Sequence, residues 1–185
     1  MGFIFMIKKV LVTNGLPRSG KDTFASFVSA YIPTVKYSCV DEIKKIAKFT
    51  GWDGEKNPSS RKYLAERKRL TTEFNDFPFK CLRMKFNEFM MTKEDSVLIF
   101  DIREPAEIER AKKEFGAESI LIVNNRCEKQ GNYADDGVMD AKYDYVIFNN
   151  STLTEFQRET FIFVQTKILN RPLTSAILSM GETNV

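Results

Sequence analysis

Histidine is absent from the 185 residues. That excludes Ser-His-Asp triads, imidazole general bases and histidine-ligated metal centres, but leaves open phosphoryl transfer, which works through positioning and charge. Cysteine is scarce, and Cys39, Cys81 and Cys127 are odd in number and scattered. This usage indicates reduced thiols in a cytosol, not a disulfide framework or a zinc site. Long apolar runs are missing as well. The opening run, residues 3–7, falls far short of the about 20 residues of a membrane span. Lys8 and Lys9 follow it, whereas a secretory signal carries its positive charge ahead of the apolar stretch. The expectation is a cytoplasmic chain with no membrane partner, in which residues 1–7 lead into the first strand. An excess of one charge sign is also lacking: 28 basic and 25 acidic residues leave a net charge of +3. With no broad basic stripe interleaved with aromatics, no nucleic-acid partner is expected. The small positive balance suits a ligand rich in phosphate.

What is present is an ordinary globular composition, 43% hydrophobic and 29% charged. A chain of this length buries roughly 70% of its unfolded surface and needs no cross-links. Apolar runs predict strands at 10–13, 34–38, 96–100, 120–123 and 145–148. Between them, periodic stretches predict helices at 20–31 and 40–49, the latter with Val40, Ile43, Ile46 and Ala47 on one face. A loop at 51–58 precedes helices at 59–75, with Tyr63, Leu70 and Phe74 along a stripe, and at 79–91. Glu104-Pro105 opens another helix that buries Ile108, Ala111 and Phe115 and ends at Gly116. The last helix should start from a Ser151 cap and reach about residue 170. Strands alternating with helices imply an α/β fold with a mostly parallel sheet of about five strands, covered on both faces. The strandless middle, 39–95, has the size of a helical insertion.

Gly15-Leu16-Pro17-Arg18-Ser19-Gly20-Lys21 carries the core of the phosphate-loop pattern. Glycines let the backbone turn tightly and aim successive N–H groups inward as an anion nest. The helix that follows contributes its positive end, and Lys21 a point charge for β/γ oxygens. The plainer reading is a tight strand-to-helix turn with a solvent lysine. Asp22 stands where the general pattern has Ser or Thr, and Thr23, next, can donate its hydroxyl to a phosphate. Asp22 either holds Mg²⁺, directly or through water, or simply favours the helix N-terminus.

The Gly-x-x-x-Ser-Gly-Lys-Asp-Thr loop resembles that of phage-type deoxynucleoside monophosphate kinases, and is similar to the Lys-x-Thr form of adenylate and thymidylate kinases. Phe100-Asp101-Ile102-Arg103 with Glu104 resembles the Asp-x-Arg segment that ends the third strand in that family. The segment 143–150 resembles its last strand and adjoining loop, an ending also similar to dephospho-coenzyme A kinases. The likeness runs from Lys8 to about Gln165.

It implies a three-layer α/β/α P-loop kinase in a single domain, 1–185, with a core of 8–38 and 96–170, a helical acceptor-binding insertion at 39–95 and a short lid at 124–142. It further implies ATP and Mg²⁺ as cofactors and a nucleoside monophosphate, deoxy for preference, as acceptor. ATP would be held by Gly15, Arg18, Ser19, Gly20, Lys21, Asp22, Thr23 and Asn149, and the metal by Asp22 and Asp101. Lys21, Asp101, Arg103 and the lid residue Arg126 would act in catalysis. Asp41, Lys44, Arg61 and Arg103 would bind the acceptor.

Without the resemblance, Asp101 is equally a cap or a partner of Arg103, Arg103 a partner of Glu104 or Glu107, and Arg126 a solvent residue. Arg61, Arg67, Lys68 and Arg69, interspersed with Glu66 and Glu73, read as a solvated face. Trp52 stacks a base or anchors its loop. Two further functions stay open: a kinase of another small metabolite, which would need Asp41 or Asp101 as base, and a nucleotide-binding module without turnover. The sequence fixes no oligomeric state; a homodimer is compatible with it.

Overall fold

The computed structural model describes residues 6–55, 57–127, 137–138, 141–172 and 174. Among the described residues there are five strands: β1 (Lys8–Asn14), β2 (Thr34–Ser38), β3 (Ser96–Asp101), β4 (Glu118–Val123) and β5 (Tyr145–Phe148). The described helices are α1 (Lys21–Ser29), α2 (Asp41–Phe49), α3 (Pro58–Asn75), α4 (Phe77–Met91), α5 (Pro105–Phe115) and α6 (Leu153–Phe163). None of them is long and apolar enough to cross a membrane. The chain divides into two compact units, one of residues 1–36 and 93–185, the other of residues 37–92.

The first unit is built on a single sheet in the order β2-β3-β1-β4-β5. The ladders β1/β3, β1/β4 and β4/β5 are parallel, with Thr13 beside Asp101, Asn14 beside Leu121 and Val123 beside Phe148. β1 is central and is buried from Val10 to its end, which explains its unbroken apolar run. Residue parity sorts the two faces. Leu11, Val97, Ile99, Ile120, Ile122 and Ile147 face α1 and α6, where they meet Phe24, Val28, Phe156 and Phe163. Phe100, of opposite parity, meets Phe115 of α5 with ring centroids 5.7 Å apart. The result is a three-layer α/β/α fold on a parallel sheet. The loop after β1 leads to a helix on one face and the loop after β3 to a helix on the other, so a crevice opens at their carboxyl ends.

Two expectations change in this unit. The last helix is capped by Thr152, not Ser151: the Thr152 hydroxyl accepts the Glu155 N–H at 3.2 Å. Its α-helical part also ends at Phe163 and passes into a π-helical turn, Val164–Ile168, before Asn170 is reached.

In the second unit, Ile43 and Ala47 of α2 and Phe79, Leu82 and Phe89 of α4 are buried. The expected α2 face loses Ile46, which is exposed. The α3 stripe is not a buried one: Leu70 is exposed and Phe74 is 86% exposed. Tyr63 instead lies under the Arg67 guanidinium, 4.6 Å from the ring centroid, and its hydroxyl meets Thr50 Oγ1 at 2.8 Å. α4 begins two residues ahead of the predicted 79 because Pro78 is accommodated in its first turn. Trp52 is a loop anchor, its Nε1 donating to Ser60 Oγ at 3.0 Å and to the Glu55 carbonyl at 3.2 Å.

Candidate active site

The loop 15–20 is fixed at both ends by side-chain amides. Asn14, fully buried at the end of β1, accepts the Gly15 N–H at 2.8 Å and donates to the Arg103 carbonyl at 3.1 Å and the Tyr143 hydroxyl at 2.7 Å. Tyr143 donates onward to the Val138 carbonyl at 2.7 Å; burial, only partly countered by Asn14, pushes its phenol up to about 12. At the other end, the Asn149 amide donates to the Ser19 carbonyl at 3.0 Å. Two glycines are required by these close approaches. Gly15 has φ +148°, and a Cβ there would lie 2.4 Å from the Ile122 carbonyl oxygen. Gly20, at φ +110°, would place one 2.6 Å from Asn149 Nδ2. Between them the chain turns back, the Ser19 N–H donating to the Leu16 carbonyl at 3.1 Å.

α1 starts from this loop without any side-chain cap. The first N–H groups of a helix have no intrahelical acceptor, so an uncapped start beside a glycine loop is suited to anions. Ser19 supports the same conclusion, since its hydroxyl is buried with no hydrogen-bond partner. Such an orphan donor is costly unless something polar reaches it. Lys21 folds back over the loop, its ammonium donating to the Gly15 and Leu16 carbonyls at 2.8 and 2.9 Å. Burial first, and the Arg103 charge second, hold its pKa below the ordinary lysine value. A desolvated cation facing a second cation gains when an anion arrives.

The carboxylates lie beside this cation pair. Asp101 ends β3 and accepts the Thr13 hydroxyl at 2.5 Å, as the register of β1 and β3 dictates. Its other oxygen pairs with Lys36 of β2 at 2.8 Å, and Lys36 also pairs with Asp22. Burial works against the Lys36 charge, yet the hydrogen bonds and charges of Asp101 and Asp22 outweigh it, so its pKa stands above the ordinary value. Two carboxylates converging on one small cation form a donor set of the hard-oxygen kind that Mg²⁺ takes alongside phosphate and water.

The structure therefore brings together Gly15, Ser19, Gly20, Lys21, Asp22, Asp101 and Asn149, and places Arg103 close enough to act on Lys21. Arg18 is exposed on the loop, in a left-handed conformation at φ 67°. Thr23 is half-buried in the first turn of α1. Arg126 is exposed, and its guanidinium donates to the Asn150 and Ser151 carbonyls at 3.0 and 2.7 Å. Nearby, a cleft of about 390 Å³ is lined by Leu16, Leu121, Val123, Asn124 and Cys127. Residues 128–136 and 139–140 of the predicted lid lie outside the described residues.

In the second unit, Asp41 accepts the Ser38 N–H at 2.8 Å and pairs with Lys44 at 3.2 Å, while Arg61 is exposed in the first turn of α3. Sequence reasoning missed Lys36, Asn14, Thr13 and Tyr143. Their partners are 14 to 129 residues away, and no local signal announces such pairs.

No family model matches the chain. It is 26% identical over 191 residues to the UPF0200 protein PH1008 of Pyrococcus horikoshii, covering 88% of this chain and all of that protein. Among solved structures it is similar to a shikimate kinase from Aquifex aeolicus, with a TM-score of 0.48 at 16% identity over 86% of this chain and 98% of that one. It is also similar to a gluconokinase from Sinorhizobium meliloti, with a TM-score of 0.47 at 10% identity over 98% and 100% of the two chains.

Proposed function

We propose that the chain transfers the terminal phosphoryl group of ATP to a nucleoside monophosphate, with a deoxynucleoside monophosphate preferred. The observation that carries this reading is the loop itself: two obligatory glycines, an uncapped helix start, an orphan buried hydroxyl, and a desolvated lysine turned onto loop carbonyls. The uncapped N–H groups, the orphan hydroxyl and the desolvated ammonium each cost stability in the absence of an anion and are relieved by a polyphosphate.

In this reading Gly15 to Thr23 hold the triphosphate, with Lys21 leaving its two carbonyls for β/γ oxygens. Arg103, already acting on Lys21, receives charge on the transferred group or on the acceptor phosphate. Asp101 and Asp22 would hold Mg²⁺, which when bound neutralises charge across the β- and γ-phosphates. An acceptor phosphate oxygen attacks the γ-phosphorus, the bond to the bridging oxygen breaks, and ADP leaves. That oxygen is already anionic, so the absence of histidine costs nothing. Asp41, Lys44 and Arg61 are assigned to the acceptor on the resemblance described above.

A hydroxyl acceptor would require a carboxylate base. Both carboxylates offered for it are engaged as acceptors, Asp101 with Thr13 and Lys36, Asp41 with Ser38 and Lys44. A coupled ADP-release assay with ATP·Mg²⁺ against each common nucleoside and deoxynucleoside monophosphate tests the proposal. The expected result is ADP release that depends on at least one deoxynucleoside monophosphate. Turnover with dephospho-coenzyme A alone, or ATP binding that stabilises the fold without turnover, overturns it.

A further inference from the structure

We propose that Lys36 is a built-in counter-cation that keeps divalent metal off the Asp22–Asp101 pair until a bound triphosphate draws the lysine away. The inference rests on the phosphotransferase reading for the identity of the ligand that displaces Lys36.

The geometry assigns this role to Lys36. Its ammonium contacts both carboxylates at once, whereas Lys21 is bonded to the Gly15 and Leu16 carbonyls. Asp101 is held in place by the Thr13 hydroxyl, and Lys36 projects from a strand adjacent to β3, so this half of the bridge is built into the sheet. The Asp22 half lies at the surface, that side chain being 95% exposed on the first turn of α1. The bridge can therefore open on one side without disturbing the core.

Charge gives the direction. Lys21, Lys36 and Arg103 stand against Asp22 and Asp101, an excess of one positive charge, and a divalent ion added to the intact cluster would raise that excess to three. At separations of a few ångströms such repulsion weakens metal binding. A triphosphate reverses the balance and offers Lys36 new acceptors, which frees both carboxylates for the metal. Asp22 also acquires a reason to replace the usual hydroxyl: a Ser or Thr there would leave Lys36 with one carboxylate and no bridge.

The test is Mn²⁺ binding to the nucleotide-free full chain, read as loss of the free-Mn²⁺ electron paramagnetic resonance signal. The wild-type protein should show no saturable binding at millimolar Mn²⁺. Lys36→Met should bind at least roughly tenfold more tightly, through removal of one adjacent charge. Lys36→Arg, which keeps the charge, should behave as wild type, and Lys36→Met combined with Asp101→Asn should lose the gain. Lys36→Gln serves the same purpose should Lys36→Met fail to fold. Equal binding by wild type and Lys36→Met, or no gain in whichever of the Met and Gln variants folds, overturns the proposal. No phosphotransfer is measured, so an unmasked Mn²⁺ site in a protein inactive in the ADP-release assay would separate this inference from the functional reading.

Discussion

Lys21 illustrates how a residue prepared for a ligand differs from one prepared for stability. Its charge is depressed by burial and by Arg103, so folding at neutral pH works against it. A lysine whose folded pKa is lowered costs stability below that pKa, and the cost is relieved as pH rises toward the unfolded value of about 10.4. Lys21→Ala should therefore raise the nucleotide-free melting temperature, or at least not lower it, while lowering the transfer rate by about two to three orders of magnitude. ATP should restore the depressed pKa, so binding in alkaline buffer below about pH 10.4 should take up protons. Calorimetry in buffers of different ionisation enthalpy would detect this uptake, and Lys21→Met should abolish it.

Gly15 fails for a different reason. Its Cβ would strike a backbone oxygen of β4, which cannot move aside, whereas a Cβ on Gly116, also at positive φ, meets nothing within 4 Å. Urea unfolding should show Gly116→Ala costing about 1 kcal/mol and Gly15→Ala about 2–4 kcal/mol, because only the latter adds overpacking to backbone strain.

At the scale of elements, caps and registers decide what the site contains. The start of α6 depends on one hydroxyl, Thr152, and not on its neighbour. Thr152→Ala should cost about 1 kcal/mol in denaturant unfolding, with Ser151→Ala close to neutral. The reverse ranking would return the cap to Ser151. α1 is the contrasting element, since it has no cap and its exposed donors face the loop. The parallel register of β1 and β3 puts Thr13 opposite Asp101, and the position of β2 beside β3 brings Lys36 to the same carboxylate. A one-residue slip in either pairing would turn these side chains to the other face and dissolve the cluster.

At the scale of the whole molecule, the core of the first unit and its phosphate loop share the helix α1. Phe24, three residues after Lys21, is fully buried and meets Phe163 edge to face at 5.8 Å. Phe163 in turn contacts Tyr145 of β5 at 5.2 Å. Phe24→Ala should cost about 3–5 kcal/mol of unfolding free energy. It should also weaken ATP binding, measured by calorimetry, because the helix that carries Lys21 loses its seat on the sheet. Unchanged ATP affinity in a destabilised Phe24→Ala protein would show that the loop holds its shape without that packing.

Fold class, strand positions and the glycine loop were legible in the order of residues alone. Each of these depends on short-range chemistry: apolar runs, the helix-bounding residues Pro105 and Gly116, and the spacing of Gly15, Gly20 and Lys21. Residues whose meaning comes from a distant partner were not legible. Lys36 carried no signal beyond its place in the strand 34–38, and Asn14 none beyond the end of the first, until the sheet order brought Asp101, Arg103 and Tyr143 to them. Trp52 had two readings, and only the acceptors its indole N–H reaches distinguished between them. Backbone preference is a local property carried by every few residues, whereas charge pairing and burial depend on which strands become neighbours, and that is decided only when the whole sheet closes over its core.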